Sequence, residues 1–392
     1  MAENSASNGP GEGEVPNIRI PPMADFIRRR PRMFIADTGP AGLHRLADEL
    51  IEYGLADIMS GHGTSIHIGV NADGSLSVTD DGRGIPAQGH AKAEITTLEW
   101  VMTFSTWAEV RCGERMFRTS CHGVGTRAVT ALSDWAEAEV CHNGRVYWQR
   151  YERGLSADDV CDIGPAGGRT GTKITFHPDP AIFPDAAFDQ DRLGARLREL
   201  AFLNKGLTTK LTDERTGVEE TFHYHRGVIE LVEHLNRDAE VLHEPISIDY
   251  GTGDVKVQIA MQYTAGAEER VRCYGNSAHN RVGGTHQRGF QWALTRTLIR
   301  YGHREGLLRG GPAPTSKDFC QGLTAVVSVN APEPQFEWAN KLYLANPEAG
   351  RAVASAVRTA LAKFLRDDPA AARRIIRKAV AAAETRRGGR PE

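Results

Sequence analysis

The stretch Val78-Thr-Asp-Asp-Gly-Arg-Gly-Ile-Pro86 decides how this chain is read. It follows the alternating run Ser65-Ile-His-Ile-Gly-Val70, the turn residues Asn71-Ala-Asp-Gly74 and the short run Ser75-Leu-Ser-Val78, which predict two strands joined by a turn. The acidic pair Asp80-Asp81 therefore stands at a strand end. A carboxylate there can accept a hydrogen bond from an exocyclic amine, and the glycines after it let backbone approach a flat ring that a side chain would exclude. The same residues also suit an ordinary turn.

Composition narrows the classes. At 392 residues the chain is long enough for two domains with substantial cores. Hydrophobic content of 40% and charged content of 25% are those of a soluble globular protein. No apolar run approaches membrane-spanning length. Residues 1–16 are Gly-rich and acidic without an apolar stretch, which predicts a disordered tail, not a signal peptide. Six scattered cysteines with no CxxC pair predict reduced thiols, a cytoplasmic location and no zinc site. The net charge of −3 gives no global drive toward nucleic acid. Positive charge is local, in Arg28-Arg-Arg-Pro-Arg32 and in a carboxy-terminal group from Arg373 to Arg387, where solvated helix faces account for most of it.

Upstream, Leu43, Leu46, Ala47, Leu50, Ile51, Leu55 and Ile58 recur at helical spacing and predict a helix from about Gly42 to Gly61. Glu49, Glu52, Tyr53 and Ala56 share its opposite face, either as solvated side chains or as part of a site. Residues 87–120 show little pattern, as a mobile loop would. Cys121-His-Gly-Val-Gly125 then precedes a short apolar helix, Thr126 to Leu132. Glycines before a helix leave backbone N–H groups at the positive end of its dipole, which suits a phosphate.

Strands are predicted at 136–142, 145–151 and 173–178, a helix at 192–204, another at 227–236, and strands at 255–263 and 270–274. Asn280-Arg-Val-Gly-Gly-Thr-His286 leads into a long helix to about Tyr301, and Gly322 to Val329 reads as a buried strand. Lys341 stands in a loop beyond it. Two helices finish the chain, each with Pro at its first position after a capping residue, Asn346 and Asp368.

Taken together, these segments resemble the amino-terminal half of bacterial DNA gyrase B and its topoisomerase IV counterpart. The pieces that carry the resemblance are Arg30-Pro-Arg-Met-Phe-Ile35, Val78 to Pro86, His122 to Leu132, Thr170-Gly-Thr172, Leu200 to Asn204, Gly283-Gly-Thr-His286 and Gly322 to Val329. The resemblance implies an α+β chain: a GHKL (Bergerat) ATP-binding sandwich over 17–220, then a transducer domain of the ribosomal S5 domain 2-like fold over 221–392.

It also implies roles. Glu49 matches the general base that orients water, Asp80 the aspartate that recognises the adenine amine, and Gly84, Ile85 and Pro86 the floor of the base pocket. Thr172 matches a supporting threonine, and His122, Gly123, Val124 and Gly125 the phosphate loop. Lys341 matches the transducer lysine that reaches the γ-phosphate, and Arg83 an arginine that tethers the site. ATP is the implied cofactor, and a homodimer joined through the amino-terminal arm, with DNA or a topoisomerase subunit as partner, the implied assembly.

The departures concentrate in the site. The family's magnesium-binding asparagine is Tyr53, a poor Mg²⁺ ligand at neutral pH. The preceding aspartate is Glu52. Thr119, Ser120 and Cys121 replace glycines and an adjoining residue of the phosphate loop, His142 an arginine at the pocket mouth, and Cys320 and Gln321 an arginine and a glutamate of the transducer. No metal ligand is assigned. The expectation is a gyrase-B-like ATP-binding protein with weak or lost hydrolysis, not a complete topoisomerase because the family's TOPRIM region is lacking. Two alternatives are a fold repurposed for another small molecule, as an enzyme or a binding protein, and a resistance or decoy protein for gyrase inhibitors.

Overall fold

The computed structural model describes residues 23–89, 95–104, 125–185, 187–309, 312–337 and 341–388. The expected tail and the positions Thr119, Ser120, Cys121, His122, Gly123 and Val124 lie outside the described residues.

Two short helices, α1 (Met23–Arg29) and α2 (Arg32–Ile35), lead into α3 (Pro40–Met59). Proline in the first turn and the spacing of Leu43, Leu46, Leu50 and Leu55 set α3, and those four leucines are buried. The hairpin β1 (Ser65–Val70) and β2 (Leu76–Asp80) follows, with Ile66 opposite Asp80. Next come α4 (Thr97–Thr103), α5 (Thr126–Ala131), β3 (Ser133–His142), β4 (Arg145–Glu152), β5 (Leu155–Ser156), β6 (Cys161–Pro165), β7 (Gly171–Pro178), α6 (Gln190–Leu203), β8 (Thr208–Asp213) and β9 (Val218–His223). Among the described residues these strands form one nine-stranded sheet, ordered β5-β4-β3-β7-β2-β1-β8-β9 with β6 also on β4. All pairs are antiparallel except β1 with β8.

The remainder runs α7 (Val228–Leu235), β10 (Ile246–Thr252), β11 (Val255–Tyr263), β12 (Arg270–Gly275), β13 (Ala278–His279), β14 (Gly283–Gly284), α8 (Thr285–Arg304), α9 (Ser316–Cys320), β15 (Leu323–Asn330), β16 (Tyr343–Leu344), α10 (Pro347–Asp367) and α11 (Pro369–Gly388). A second sheet, ordered β10-β11-β15-β12-β13, is covered by α8 and α10. Strand β15 is central and apolar on both faces, as its uninterrupted Leu323-Thr-Ala-Val-Val-Ser-Val329 requires. Each sheet has its own core, one drawn from residues between Ala24 and Phe222 and the other between Ile246 and Ala379. A smaller cluster of Phe202, Leu203, Val228, Leu231, Val232, Ala260, Tyr274 and Val326 joins them. The α+β class expected from sequence is the class observed.

Several local readings need correction. The stretch 87–120 is not patternless: Thr96 caps α4, its hydroxyl accepting from Glu99 N at 3.1 Å. Thr96-x-x-Glu99 is itself a helix-start signature. Strands β8, β9 and β10 have no counterpart in the sequence reading, because Thr, Lys and Glu in β8 and β9, and Ser247 and Asp249 in β10, dilute the apolar alternation. Asp368 caps α11 through Ala371 N at 2.9 Å, whereas Asn346 does not cap α10. Its side chain instead accepts from Gln335 N at 2.6 Å and donates to Glu333 O at 3.0 Å, fixing the loop before the helix.

Candidate functional site

Asp80 is the last residue of β2 and is 7% exposed. Its carboxylate accepts from Gly82 N at 2.8 Å and from the Thr172 backbone at the start of β7. Burial pushes its pKa up to about 7, outweighing those hydrogen bonds, and the charge of Asp57 adds to the rise. The Thr172 hydroxyl is buried beside it without a hydrogen-bond partner among the described residues. Two polar groups thus converge where no described residue satisfies the hydroxyl, an arrangement suited to a donor or acceptor from outside.

Glycines make that corner. Gly54 of α3 lies against Asp80, and a Cβ on it would come 2.9 Å from the Asp80 Cβ. Gly84 has φ +76°, and a Cβ there would come 2.4 Å from the Cys141 carbonyl oxygen. The segment after Asp80 therefore lies flush on β3, with Ile85 fully buried and Pro86 half-buried.

Arg83 is fixed by Asp57. Its backbone N donates to one oxygen of that buried carboxylate and its guanidinium to the other, each at 3.0 Å. The pair ties the strand end to α3, the geometry of a tether. His142 closes the other side, its Nδ1 lying 3.1 Å from the Arg83 carbonyl oxygen. Asp81, by contrast, accepts from Thr64 N at 2.7 Å and Ser65 N at 2.8 Å and organises the turn into β1.

Just before Gly54 on α3, and reaching back to Glu49 about 7.5 Å along its axis, stands a charged cluster. Glu49, Glu52 and Tyr53 are not solvated: they are 6%, 7% and 5% exposed. Glu49 accepts from Gly125 N at 3.2 Å through one oxygen. The other lies 3.1 Å from Arg45, one turn back, out of line for a hydrogen bond. Burial, then the charge of Glu52, raises the Glu49 pKa. Glu52 receives the Lys341 ammonium. Burial would raise its pKa too, but Lys341 and then Arg45 hold it below the usual carboxylate range. Lys341 is 4% exposed, with φ +58°, and its carbonyl accepts from Asn280 Nδ2 at 2.6 Å. The Tyr53 ring is packed in the first core. Cys320 lies in the second core, where burial pushes its thiol up to about 12, and Gln321 ends α9.

The chain thus gathers Asp80, Arg83, Gly84, Ile85, Thr172 and His142 at one corner, and Glu49, Glu52, Lys341 and Gly125 at a second on the same helix. Sequence reasoning passed over Asp57, Arg45 and Asn280. Arg45 was legible, four residues before Glu49 on one helix face. The other two act across long separations.

The fold and this paired arrangement define the class. Residues 38–182 match the family of histidine kinase-, DNA gyrase B- and HSP90-like ATPases. Residues 227–391 match the DNA gyrase B family. The DNA gyrase B protein of Streptococcus pneumoniae is 37% identical over 380 residues, 95% of this chain and 58% of that protein. That of Clostridium acetobutylicum is 40% identical over 374 residues, 94% and 58%. Among solved structures, the 43K ATPase domain of Thermus thermophilus gyrase B, in complex with an aminocoumarin, superposes with a TM-score of 0.80 at 36% identity, covering 93% of this chain and 96% of that one. The topoisomerase IV ATP-binding domain of Francisella tularensis gives 0.79 at 28% identity, covering 92% and 97%. This chain belongs to the DNA gyrase B family. It spans 58% of the length of these relatives, in their GHKL ATPase region and the part that follows.

Proposed function

We propose that the corner between α3, β2 and β7 binds ATP, and that hydrolysis there is weak or absent. The observation that carries the first half is the buried pair of Asp80 and the Thr172 hydroxyl, which has no partner among the described residues; the pair suits a base offering an exocyclic amine beside a ring nitrogen. Gly84, Ile85 and Pro86 form the floor, and Arg83 keeps the strand end in place through Asp57. The phosphates run along α3 toward Gly125, Glu49 and Lys341, and the family resemblance assigns His122, Gly123 and Val124, outside the described residues, to the same task. The ATP-binding domains of the gyrase B and topoisomerase IV relatives support this reading.

The second half rests on Tyr53 and on the state of its neighbours. A divalent cation on this helix needs oxygen ligands, and the donors present are poor ones. Tyr53 offers a phenol packed in the core, Glu52 is engaged by Lys341, and Glu49 by Arg45 and Gly125. Among the described residues no group of three or more His, Cys, Asp and Glu side chains is placed to hold a metal. The residues do not fit Mg²⁺ in the usual place, so no step is assigned to it. Glu49 remains the base for any residual turnover.

The ATPase unit ends near β9 and the transducer unit begins near α7. A homodimer closed by the amino-terminal arm, acting on DNA or beside a topoisomerase partner, completes the reading. A fold repurposed for a different small molecule is the second reading, favoured by the neutralisation of Lys341 by Glu52. Calorimetric titration with a non-hydrolysable ATP analogue separates them: binding to the wild type that is lost in Asp80→Ala supports the nucleotide, and no binding to the wild type supports the second reading.

A further inference from the structure

A cleft of about 470 Å³, with Glu52 and Lys341 in its wall, opens where α3 and α6 meet the segment around β13 and the Lys341 loop. Its size is that of a small-molecule site at a domain junction. Five cationic and three carboxylate side chains line it, a surplus of two positive charges. Most of these groups hold one another: Arg196 lies 3.0 Å from Glu199 and 3.8 Å from Asp48, and Lys341 is paired with Glu52.

Two arginines do not. Arg192, on α6, and Arg281, in the loop after β13, are exposed into this cleft and make no ion pair with any described residue. One comes from each unit. The Asp48 carboxylate, on α3, is 31% exposed and accepts no hydrogen bond among the described residues; burial raises its pKa. A lone exposed arginine is ordinary surface. Two without counter-charge, lining one concave volume beside a carboxylate with free acceptor capacity, ask for a ligand with anionic groups and a hydroxyl donor. A guanidinium presents a planar fork that pairs with phosphate oxygens two at a time.

We propose that this cleft binds a small phosphorylated, hydroxyl-bearing molecule, with Arg192 and Arg281 holding its phosphates and Asp48 accepting from a hydroxyl. The ligand bridges the two units and lies against the Glu52–Lys341 pair. The site lies away from the corner at Asp80 but shares Glu52 and Lys341 with the phosphate end of the proposed nucleotide site, so retention of binding in Asp80→Ala separates the two.

The test is calorimetric titration of the full chain with fructose 1,6-bisphosphate as the probe and pyrophosphate as the comparison. The expected result is saturable binding of the bisphosphate, weakened at least tenfold by Arg192→Ala and by Arg281→Ala, severalfold by Asp48→Ala, and retained in Asp80→Ala. Both arginines are exposed, so these variants keep the fold; thermal unfolding checks this. No saturable binding, or binding unchanged in both arginine variants, overturns the proposal. Equal affinity for pyrophosphate overturns the role of Asp48 and the hydroxyl.

Discussion

Lys341 Nζ, carried by a loop of the second unit, donates to the carboxylate of Glu52 on α3 of the first, with both side chains buried. The contact spans 289 residues of sequence and joins the two halves of the chain through one ion pair. Removing one partner strands a buried charge, whereas replacing both with apolar groups does not. Lys341→Met is therefore expected to cost about 3 kcal/mol in urea denaturation. Glu52→Leu combined with Lys341→Met should recover most of that loss. A single-variant cost near zero would mean that Arg45, not Lys341, is enough to hold the Glu52 charge.

Asp80 sets a pH dependence. In the folded chain it keeps its proton up to about pH 7, while an unfolded aspartate releases it near 3.8. Between those values the folded state binds more protons, so stability falls as pH rises from about 4 to 7, by on the order of 4 kcal/mol from this group. Asp80→Asn should flatten that slope in denaturation midpoints measured across the window. A slope of the same size in the variant would assign it elsewhere. A ligand amine favours the ionised carboxylate, so nucleotide binding near pH 6 should release a proton, seen as a buffer-dependent binding enthalpy.

Gly84 separates steric from conformational cost. Both Gly74 and Gly84 have positive φ, +86° and +76°, but a Cβ at Gly74 meets nothing within 4 Å, while at Gly84 it meets the Cys141 carbonyl. Gly74→Ala should cost about 1 kcal/mol. Gly84→Ala should cost about 3 kcal/mol, by adding overpacking to the same strain. Equal losses would show that β3 yields at Cys141.

How much of this was readable beforehand follows from the range of each interaction. Helix α3, the hairpin ending at Asp80 and the central strand β15 announce themselves through local periodicity and turn residues. The strands β8 and β9 do not, since their burial is decided by pairing of β8 with β1 and of β9 with β8. The acidic face of α3 shows the same limit. Spacing places Glu49, Glu52 and Tyr53 together but cannot say that this face is buried, because Gly125 and Lys341 reach it from distant parts of the chain. The family resemblance gave Glu49 a role in a site without stating its burial, and it named the family correctly.

Tyr53→Asn tests the proposed loss of metal binding. The phenol leaves the core, so the variant should lose about 3 kcal/mol of stability, and it should gain Mg²⁺-dependent phosphate release from ATP. Destabilisation without any gain in turnover would mean that the change at position 53 is not what limits hydrolysis.

The most direct measurement is a calorimetric titration of the purified chain with a non-hydrolysable ATP analogue, first with Mg²⁺ and then with EDTA. Saturable binding of similar affinity in both conditions is expected, because the proposed nucleotide site rests on Asp80 and Thr172 and assigns no metal ligand to Tyr53. Binding that appears only with Mg²⁺ would contradict the account, by showing that another group supplies the missing ligand.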